Sequence, residues 1–369
     1  MTKKYLSYRN TGIAYDLMDP LKRMAQKEGF KTVKNLSLSG VSEVKGCRGE
    51  SAYVLDFGKF YIATVIEGLG TKSLVADKMY KITGKTYYDL LAQDTIAMNI
   101  NDLIVVGAKP LSISAYWAAG SSEWFKDIKR LRDLSKGWAR ACDTAGVVWG
   151  GGETPTLTGV INPETLDFAS SSIGIIKPKS RLTLGDKLIS GDVIVLFESS
   201  GIHANGLSLA RKIAENLPSG YKTKILDGRM FGDALLDPTI IYSKLIQDLF
   251  SNNVDLHYMV NITGHGWRKI MRAEANFSYK FNYLPPVPSV LKFMVDKGPI
   301  SIPEAYGNLN MGAGFAIFVP NKDVEKVITL AKKFKIKAYN SGVVQKGPKR
   351  VVIEPIKVTF EGESLQVRS

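Results

Sequence analysis

The chain has 369 residues, 45% of them hydrophobic and 23% charged, a balance that suits a folded protein with a substantial core and, at this length, two domains. Its two cysteines, Cys47 and Cys142, are too few and too isolated for a disulfide framework or a zinc site and fit a reducing compartment. Lys and Arg outnumber Asp and Glu by 49 to 35, a net charge of +14, but the excess is spread along the chain without a zinc finger, an RNA-recognition signature or a basic heptad helix. It reads as a lysine-rich solvated surface, and nucleic acid is not the expected partner. The longest apolar runs, DVIVLFE and GFAIFVP, are of strand length, and the start MTKKYLSYRN has no apolar signal-peptide core. No membrane partner is expected, and the expected location is cytoplasmic.

Residues 1–40 read as an arm with one helix, YDLMDPLKRMAQKEGF, in which Asp19-Pro20 provides the N-cap and first turn. An N-terminal domain over 41–178 follows. SAYVLDFG and KFYIATVIEG are β-branched and aromatic and form a hairpin through DFGK. From Tyr87 to Val106 the apolar residues fall at helical spacing and stop at Gly107 and Pro110. PLSISAYWAAG returns as a strand, EWFKDIKRLRDLSKGWARACDTAG is an amphipathic helix closed by Gly146, VVWGGGETPTLTG is a strand entering a glycine turn, and DFASSSIGIIKP is the last strand. That order is α+β rather than a doubly wound parallel sheet. The linker KPKSRLTLGDKLISG spans 177–191, and a C-terminal domain is expected over 186–369. It opens with the strand DVIVLFESS and turns through GIHANG into a helix. DPTIIYSKLIQDLFSNN, PSVLKFMVDKG and KDVEKVITLAKKFK are further helices, and NLNMGAGFAIFVP is a strand.

Four segments place polar side chains beside glycine or at the end of an element: EGLGTK, QDTIAMNIND, GGGETPTLTG and SSGIHANG. EGLGTK is either an ordinary strand-ending turn or a phosphate corner. In the second case Gly68 and Gly70 offer backbone N–H groups, Lys72 a point charge and Glu67 a ligand for the accompanying cation. Asp94 and Asn101 share a helix face, whereas Asp102 is rotated by roughly 80° from Asp94 and lies about 12 Å further along the axis. One ion cannot bridge both aspartates, but a triphosphate with two or more Mg2+ ions can; otherwise both are solvated helix residues. Three glycines before Glu153 indicate a close backbone approach. His203, set between Gly201 and Gly206, is either structural or an acid–base group; His265 in NITGHGW has a similar setting.

In this order the segments resemble the aminoimidazole ribonucleotide synthetases, or phosphoribosylformylglycinamidine cyclo-ligases, from about Tyr8 to Glu354. EGLGTK is similar to that family's D-G-V-G-T-K, AMNINDLIVVGAKPL to A-M-N-V-N-D-x-x-x-x-G-A-E-P-L, GGET to G-G-E-T, SSGIHANGLSLAR to S-S-G-P-H-S-N-G-x-S-L-x-R, and NITGHG and NMGAGF to T-G-G-G and N-x-G-x-G-x. The resemblance implies a two-domain α/β (α+β) protein whose N-terminal sheets pack together in a homodimer, with ATP in a cleft lined by both chains. It implies closure of formylglycinamidine ribonucleotide to aminoimidazole ribonucleotide at the expense of ATP. By position, Glu67, Asp94 and Asp102 would hold Mg2+; Gly68, Gly70, Thr71 and Lys72 would meet phosphate; Asn99 and Asn101 would support that helix face; Gly152, Glu153 and Thr154 would line the ATP or substrate cleft. His203 and Asn205 would face the substrate, with His203, Lys72 and Asp94 as the catalytic group.

Glu67 stands where the family has Asp, Thr156 where it has a second Glu, His265 where it has Gly, and Ala14 where it has an acid. These departures bear on substrate identity more than on ATP use. The alternatives are another ATP-using member of the superfamily, such as thiamine-monophosphate kinase or a hydrogenase-maturation protein, or a non-catalytic nucleotide-binding relative; selenophosphate synthesis is not favoured, since Cys47 has no adjacent glycine-rich nucleophile loop.

Overall fold

Proline inside a helix removes one ladder N–H, and the arm tolerates it. In the computed structural model, which describes residues 11–367, helix α1 (Tyr15–Lys31) starts one turn before the expected cap, with Ala14 as N-cap and Pro20 inside it. β1 (Ser42–Glu43), β2 (Tyr53–Asp56) and β3 (Tyr61–Gly68) follow. α2 (Lys72–Thr83) is an element the sequence reading does not foresee: Gly70, at φ +72°, turns the chain and Lys72 is already the first helical residue. α3 (Tyr88–Val105), β4 (Lys109–Ala119), α4 (Ile128–Ala145), β5 (Val148–Glu153) and β6 (Leu166–Ile176) complete the first half. The helix expected from Glu123 is split, because a 3-10 turn over Ser122–Lys126 ends at Asp127, whose carboxylate caps α4 by accepting the N–H of Arg130. The expected glycine turn is instead part of edge strand β5, where a Cβ on Gly152 would collide with the carbonyl oxygen of Ala115.

The first sheet has the order β1-β2-β3-β6-β4-β5. β6 runs antiparallel to both β3 and β4, and β5 runs parallel to β4 because α4 carries the chain across between them. Side chains of β6 alternate buried and exposed along its whole length, so one face holds the core against α3 and the other is open. α3 is buried nearly all round and touches the sheet, α4, and parts of the second half.

The second half contains β7 (Val193–Glu198), α5 (Leu207–Asn216), α6 (Phe231–Leu235), α7 (Ser243–Ser251), β8 (Tyr258–Asn261), β9 (Phe277–Phe281), α8 (Ser289–Lys297), α9 (Ile302–Asn308), β10 (Ala313–Val319), α10 (Val324–Lys333), β11 (Ala338–Lys346), β12 (Arg350–Ile353) and β13 (Val358–Glu361). Its seven-stranded sheet has the order β13-β12-β9-β11-β7-β10-β8. The two sheets with their flanking helices give the mixed α/β architecture expected from the sequence.

A polar joint fastens the halves. Lys72 and Asp94, both fully buried, pair at 2.7 Å. Lys72 Nζ also donates to the carbonyl oxygens of His203 and Asp237, each at 2.9 Å, and Asp94 Oδ1 accepts from the N–H and hydroxyl of Thr239 at 2.8 and 2.5 Å. Two turns along α3, Asn101 donates to the Ile240 carbonyl and accepts the Tyr242 N–H, while Gln93, next to Asp94, donates to the Thr239 carbonyl. Burial raises the Asp94 pKa, and Lys72 and Thr239 oppose the rise. Lys72→Met leaves that carboxylate buried without its counter-charge and is expected to cost about 3–5 kcal/mol in urea unfolding. Asp94→Asn in the same chain should recover part of the loss, giving a coupling energy in a double-mutant cycle; additive losses would mean that the pair does not fasten the halves.

Candidate active site

Beyond the joint, a cavity of about 530 Å3 opens between the two halves. Glu67, near the end of β3, and Asp102, in the last turn of α3, meet on its wall within hydrogen-bonding reach. Asp102 Oδ1 accepts from Asn261 Nδ2 at 2.7 Å. Burial and the neighbouring Asp102 push the Glu67 pKa up to about 7, against the pull of Lys269 and Arg272.

The opposing charges come from the second half. Thr263-Gly264-His265 leads into a 3-10 turn, Gly266–Met271, that presents Lys269, and Arg272 follows directly. Lys269 Nζ donates to Thr263 Oγ1 at 2.6 Å; burial lowers its pKa, and Asp102 opposes the change. Arg272 is held by the carbonyl of Gly49 and the hydroxyl of Ser51. Asn205 reaches the cavity with its Nδ2 buried and without a hydrogen-bond partner. Helix α1 supplies Tyr15 and Lys22 to the remaining wall.

Two carboxylates in contact on a cavity that also carries an ammonium and a guanidinium are a donor set for a hard divalent cation and the phosphates that travel with it. Among the described residues no group of three or more His, Cys, Asp or Glu side chains gathers to hold an ion. An ion held here would need ligand oxygens and water to complete its coordination, the kind of site that Mg2+ accepts.

The structure thus brings Glu67, Asp102 and Asn205 together and places the other expected site residues elsewhere. Asp94 lies in the joint with no exposed side-chain surface, so it offers no face to a cation, and the donors of Lys72 are engaged by protein oxygens rather than turned toward a phosphate. His203 lies beneath this pair: it is buried, its Nε2 accepts the Ser200 N–H at 3.2 Å, and burial together with Lys72 lowers its pKa to about 3. It is not among the residues that line the cavity. Asn99 braces α3 on the sheet, donating to the Ser170 carbonyl and accepting from the Ser172 hydroxyl, and Asn101 belongs to the joint. Gly68, Gly70 and Thr71 form the strand-to-helix turn, with Leu69 still bonded to the Phe168 carbonyl and Thr71 Oγ1 3.4 Å from Ser208 Oγ.

Gly152, Glu153 and Thr154 line a separate groove of about 340 Å3 beside Trp117 and Trp149. Strand register separates Glu153 from Glu67. Glu67, Ser170, Ala115 and Gly152 form one cross-strand row, and Gly68, Ala169, Tyr116 and Glu153 form the next. Adjacent rows point to opposite faces. Glu153 therefore projects from the face opposite Glu67, three strand spacings or about 14 Å away.

Sequence reasoning missed Tyr15, Lys22, Lys269 and Arg272. The last two had a signal, since GWRKIMR sets cations three and four residues apart directly after the glycine turn of NITGHG.

A family model described as AIR synthase related protein, N-terminal domain, matches residues 49–176, and its C-terminal counterpart matches 190–354. The phosphoribosylformylglycinamidine cyclo-ligase of Pyrococcus furiosus is 32% identical over 312 residues, 85% of this chain and 87% of that one. The protein of the same name from Carboxydothermus hydrogenoformans is 32% identical over 358 residues, 94% of this chain and 98% of that one. Among solved structures, T. maritima PurL complexed with FGAR has a TM-score of 0.58 at 15% identity, covering 89% of this chain and 49% of that one. AaThiL complexed with AMPPCP and TMP has a TM-score of 0.56 at 15% identity, covering 85% and 90%. The structural likenesses carry the fold alone; with two family models matching most of the length and relatives a third identical from end to end, the chain belongs to the phosphoribosylformylglycinamidine cyclo-ligase family.

Proposed function

We propose that this chain closes formylglycinamidine ribonucleotide to aminoimidazole ribonucleotide, converting ATP to ADP and phosphate, in cytoplasmic purine synthesis. The observation that carries the reading is the end-to-end similarity to cyclo-ligases, joined to a cavity that holds a carboxylate pair opposite Lys269 and Arg272. Its two cysteines are buried free thiols, which fits a reducing compartment. No helix among the described residues is long and apolar enough to cross a membrane.

Transfer of the ATP γ-phosphoryl group to the formyl oxygen turns a poor leaving group into phosphate, and attack by the ribose-linked nitrogen on that carbon closes the ring. Alignment and charge neutralisation are what such a transfer asks of a protein. Glu67 and Asp102 would hold Mg2+, which supplies charge neutralisation at the phosphates. Lys269 and Arg272 meet phosphate oxygens, and Asn205 turns its unpartnered amide to the ligand.

The test follows ADP and aminoimidazole ribonucleotide in parallel. Both should form with the parent protein. Glu67→Gln should need more Mg2+, because it keeps the shape and loses the charge. The Mg2+ requirement of the parent should also rise as pH falls through about 7, where Glu67 takes up its proton, and the variant should lack that dependence. ADP without the imidazole product would indicate a different acceptor, neither product would indicate a non-catalytic relative, and identical Mg2+ curves would remove Glu67 from the metal site.

The active form we propose is a homodimer in which the open sheet face, with Ile66 at 77% and Ile173 at 37% exposure, packs on a second copy and Glu153 enters the partner's site. Light scattering should give twice the 40.6 kDa chain mass. Mixing inactive Glu67→Ala and Glu153→Ala proteins should restore about a quarter of parental activity, since half the dimers would be mixed and each would carry one intact composite site. Unrestored activity would place both residues in one chain's site or neither.

A further inference from the structure

Helix α1 is amphipathic in the wrong sense for a helix held by a core. Its outward stripe is apolar, with Leu17, Leu21 and Met24 exposed at 69%, 68% and 63%, and among its residues only Asp19 is buried. The face turned to the cavity carries Tyr15, Lys22 and Gln26, with Met18 as its one aliphatic side chain.

Contacts at its N-terminus and along its middle turns hold the helix down. Tyr15 stacks on His265 with ring centroids 3.8 Å apart, and its hydroxyl accepts the His265 N–H at 3.4 Å. Arg23 and Gln26 donate to the carbonyls of Gln366 and Val367 in the C-terminal tail. Contacts of this kind open more readily than a packed apolar face, which is the property of ligand-gated lids. The imidazole of His265 is sealed beneath Tyr15, with neither ring nitrogen hydrogen-bonded. Lys22 is bound to Asp19 at 3.0 Å, and its side chain keeps 44% of its surface exposed. It lines the cavity together with Lys269 and Arg272. An anionic group seated against those two would find Lys22 free to exchange a neighbouring carboxylate for phosphate oxygens.

We propose that α1 is a lid that closes on a phosphate-bearing ligand, with Lys22 supplying its charge to the phosphate and the Tyr15–His265 stack as the pin on which the lid seats. The proposal rests on the cavity being the nucleotide and substrate site. The phosphate could belong to ATP or to the ribose phosphate of the substrate, so both are probed.

The experiment measures amide hydrogen exchange of residues 15–31 in the full-length protein, alone, with AMPPCP and Mg2+, and with ribose 5-phosphate, while calorimetry reports binding of each. One of the two ligands should slow exchange across 15–31 about tenfold or more, and that ligand identifies the source of the phosphate. Lys22→Ala should abolish the protection and raise KM for that substrate about tenfold, with a smaller change in kcat, and Lys22→Arg should restore both. Tyr15→Ala should raise exchange in 15–31 even without ligand, whereas Tyr15→Phe, which keeps the stack, should not. Binding without protection of 15–31, or a parental KM in Lys22→Ala, overturns the lid while leaving the cavity reading intact; binding of neither ligand overturns both.

Discussion

A lysine ammonium and an aspartate carboxylate can be enclosed together only if nearly every donor and acceptor they carry is answered, since desolvation otherwise outweighs their attraction. Lys72 and Asp94 meet that requirement by taking partners from two separate stretches of the second half, the turn at His203 and the segment that carries Asp237 and Thr239. The consequence reaches past stability. Fixing the carbonyl of His203 fixes the turn that carries Asn205 two residues later, and fixing Asp94 sets α3, whose final turn carries Asp102. The cavity wall is thus assembled from both halves by a contact that lies outside it.

Within the cavity the balance of charge is local. Glu67 beside Asp102 is an arrangement that proteins avoid without a compensating cation, and burial first, with Asp102 second, raises the Glu67 pKa toward neutrality. Lys269 and Arg272 offset part of the rise, yet both are tethered, by Thr263 in one case and by Gly49 and Ser51 in the other. Groups held in this way need little rearrangement when a charged ligand arrives, which is the condition for effective electrostatic stabilisation. The sheet imposes a second constraint: its pleat sends Glu67 and Glu153 to opposite faces, so a site that uses both must be completed from another copy.

Much of this was legible in the amino-acid sequence. The 3.6-residue period and glycine stop of α3, the alternation of β3 and β6, and the resemblance that singled out Glu67, Asp102 and Asn205 all lead to the observed fold and cavity. Lys72 shows where such reading fails. A lysine beside a glycine turn has the same local pattern whether it meets a phosphate or three protein oxygens, and the choice is made by Asp94, His203 and Asp237, which are remote in sequence. Glu153 fails for a different reason: the face it occupies depends on how β5 registers against β4, including a bulge at Ile113 and Ser114, and no periodicity within GGGET encodes that. The start of α1 was misplaced because Pro20 reads as a first-turn residue, whereas contacts of Tyr15 with the second half extend the helix backward.

His265, which stands where the family pattern has Gly, is tied to the amino-terminal arm through Tyr15. At φ +66° it occupies the left-handed region that glycine adopts freely and that costs another residue roughly 1–2 kcal/mol. Burial and the nearby cations Arg268, Lys269, Lys22 and Arg272 lower its pKa to about 3, so the ring gains nothing from charge at neutral pH. What it gains is Tyr15: a stacked ring pair contributes about 0.5–1.5 kcal/mol beyond its buried area, comparable with the backbone strain. Neither residue is well accommodated alone. A glycine at 265 would leave Tyr15 without a surface, and without Tyr15 the imidazole would be a strained side chain exposed on the cavity wall. The arm and the altered glycine turn therefore belong together, and their contact lies on the wall of the cavity that also holds Glu67 and Asp102.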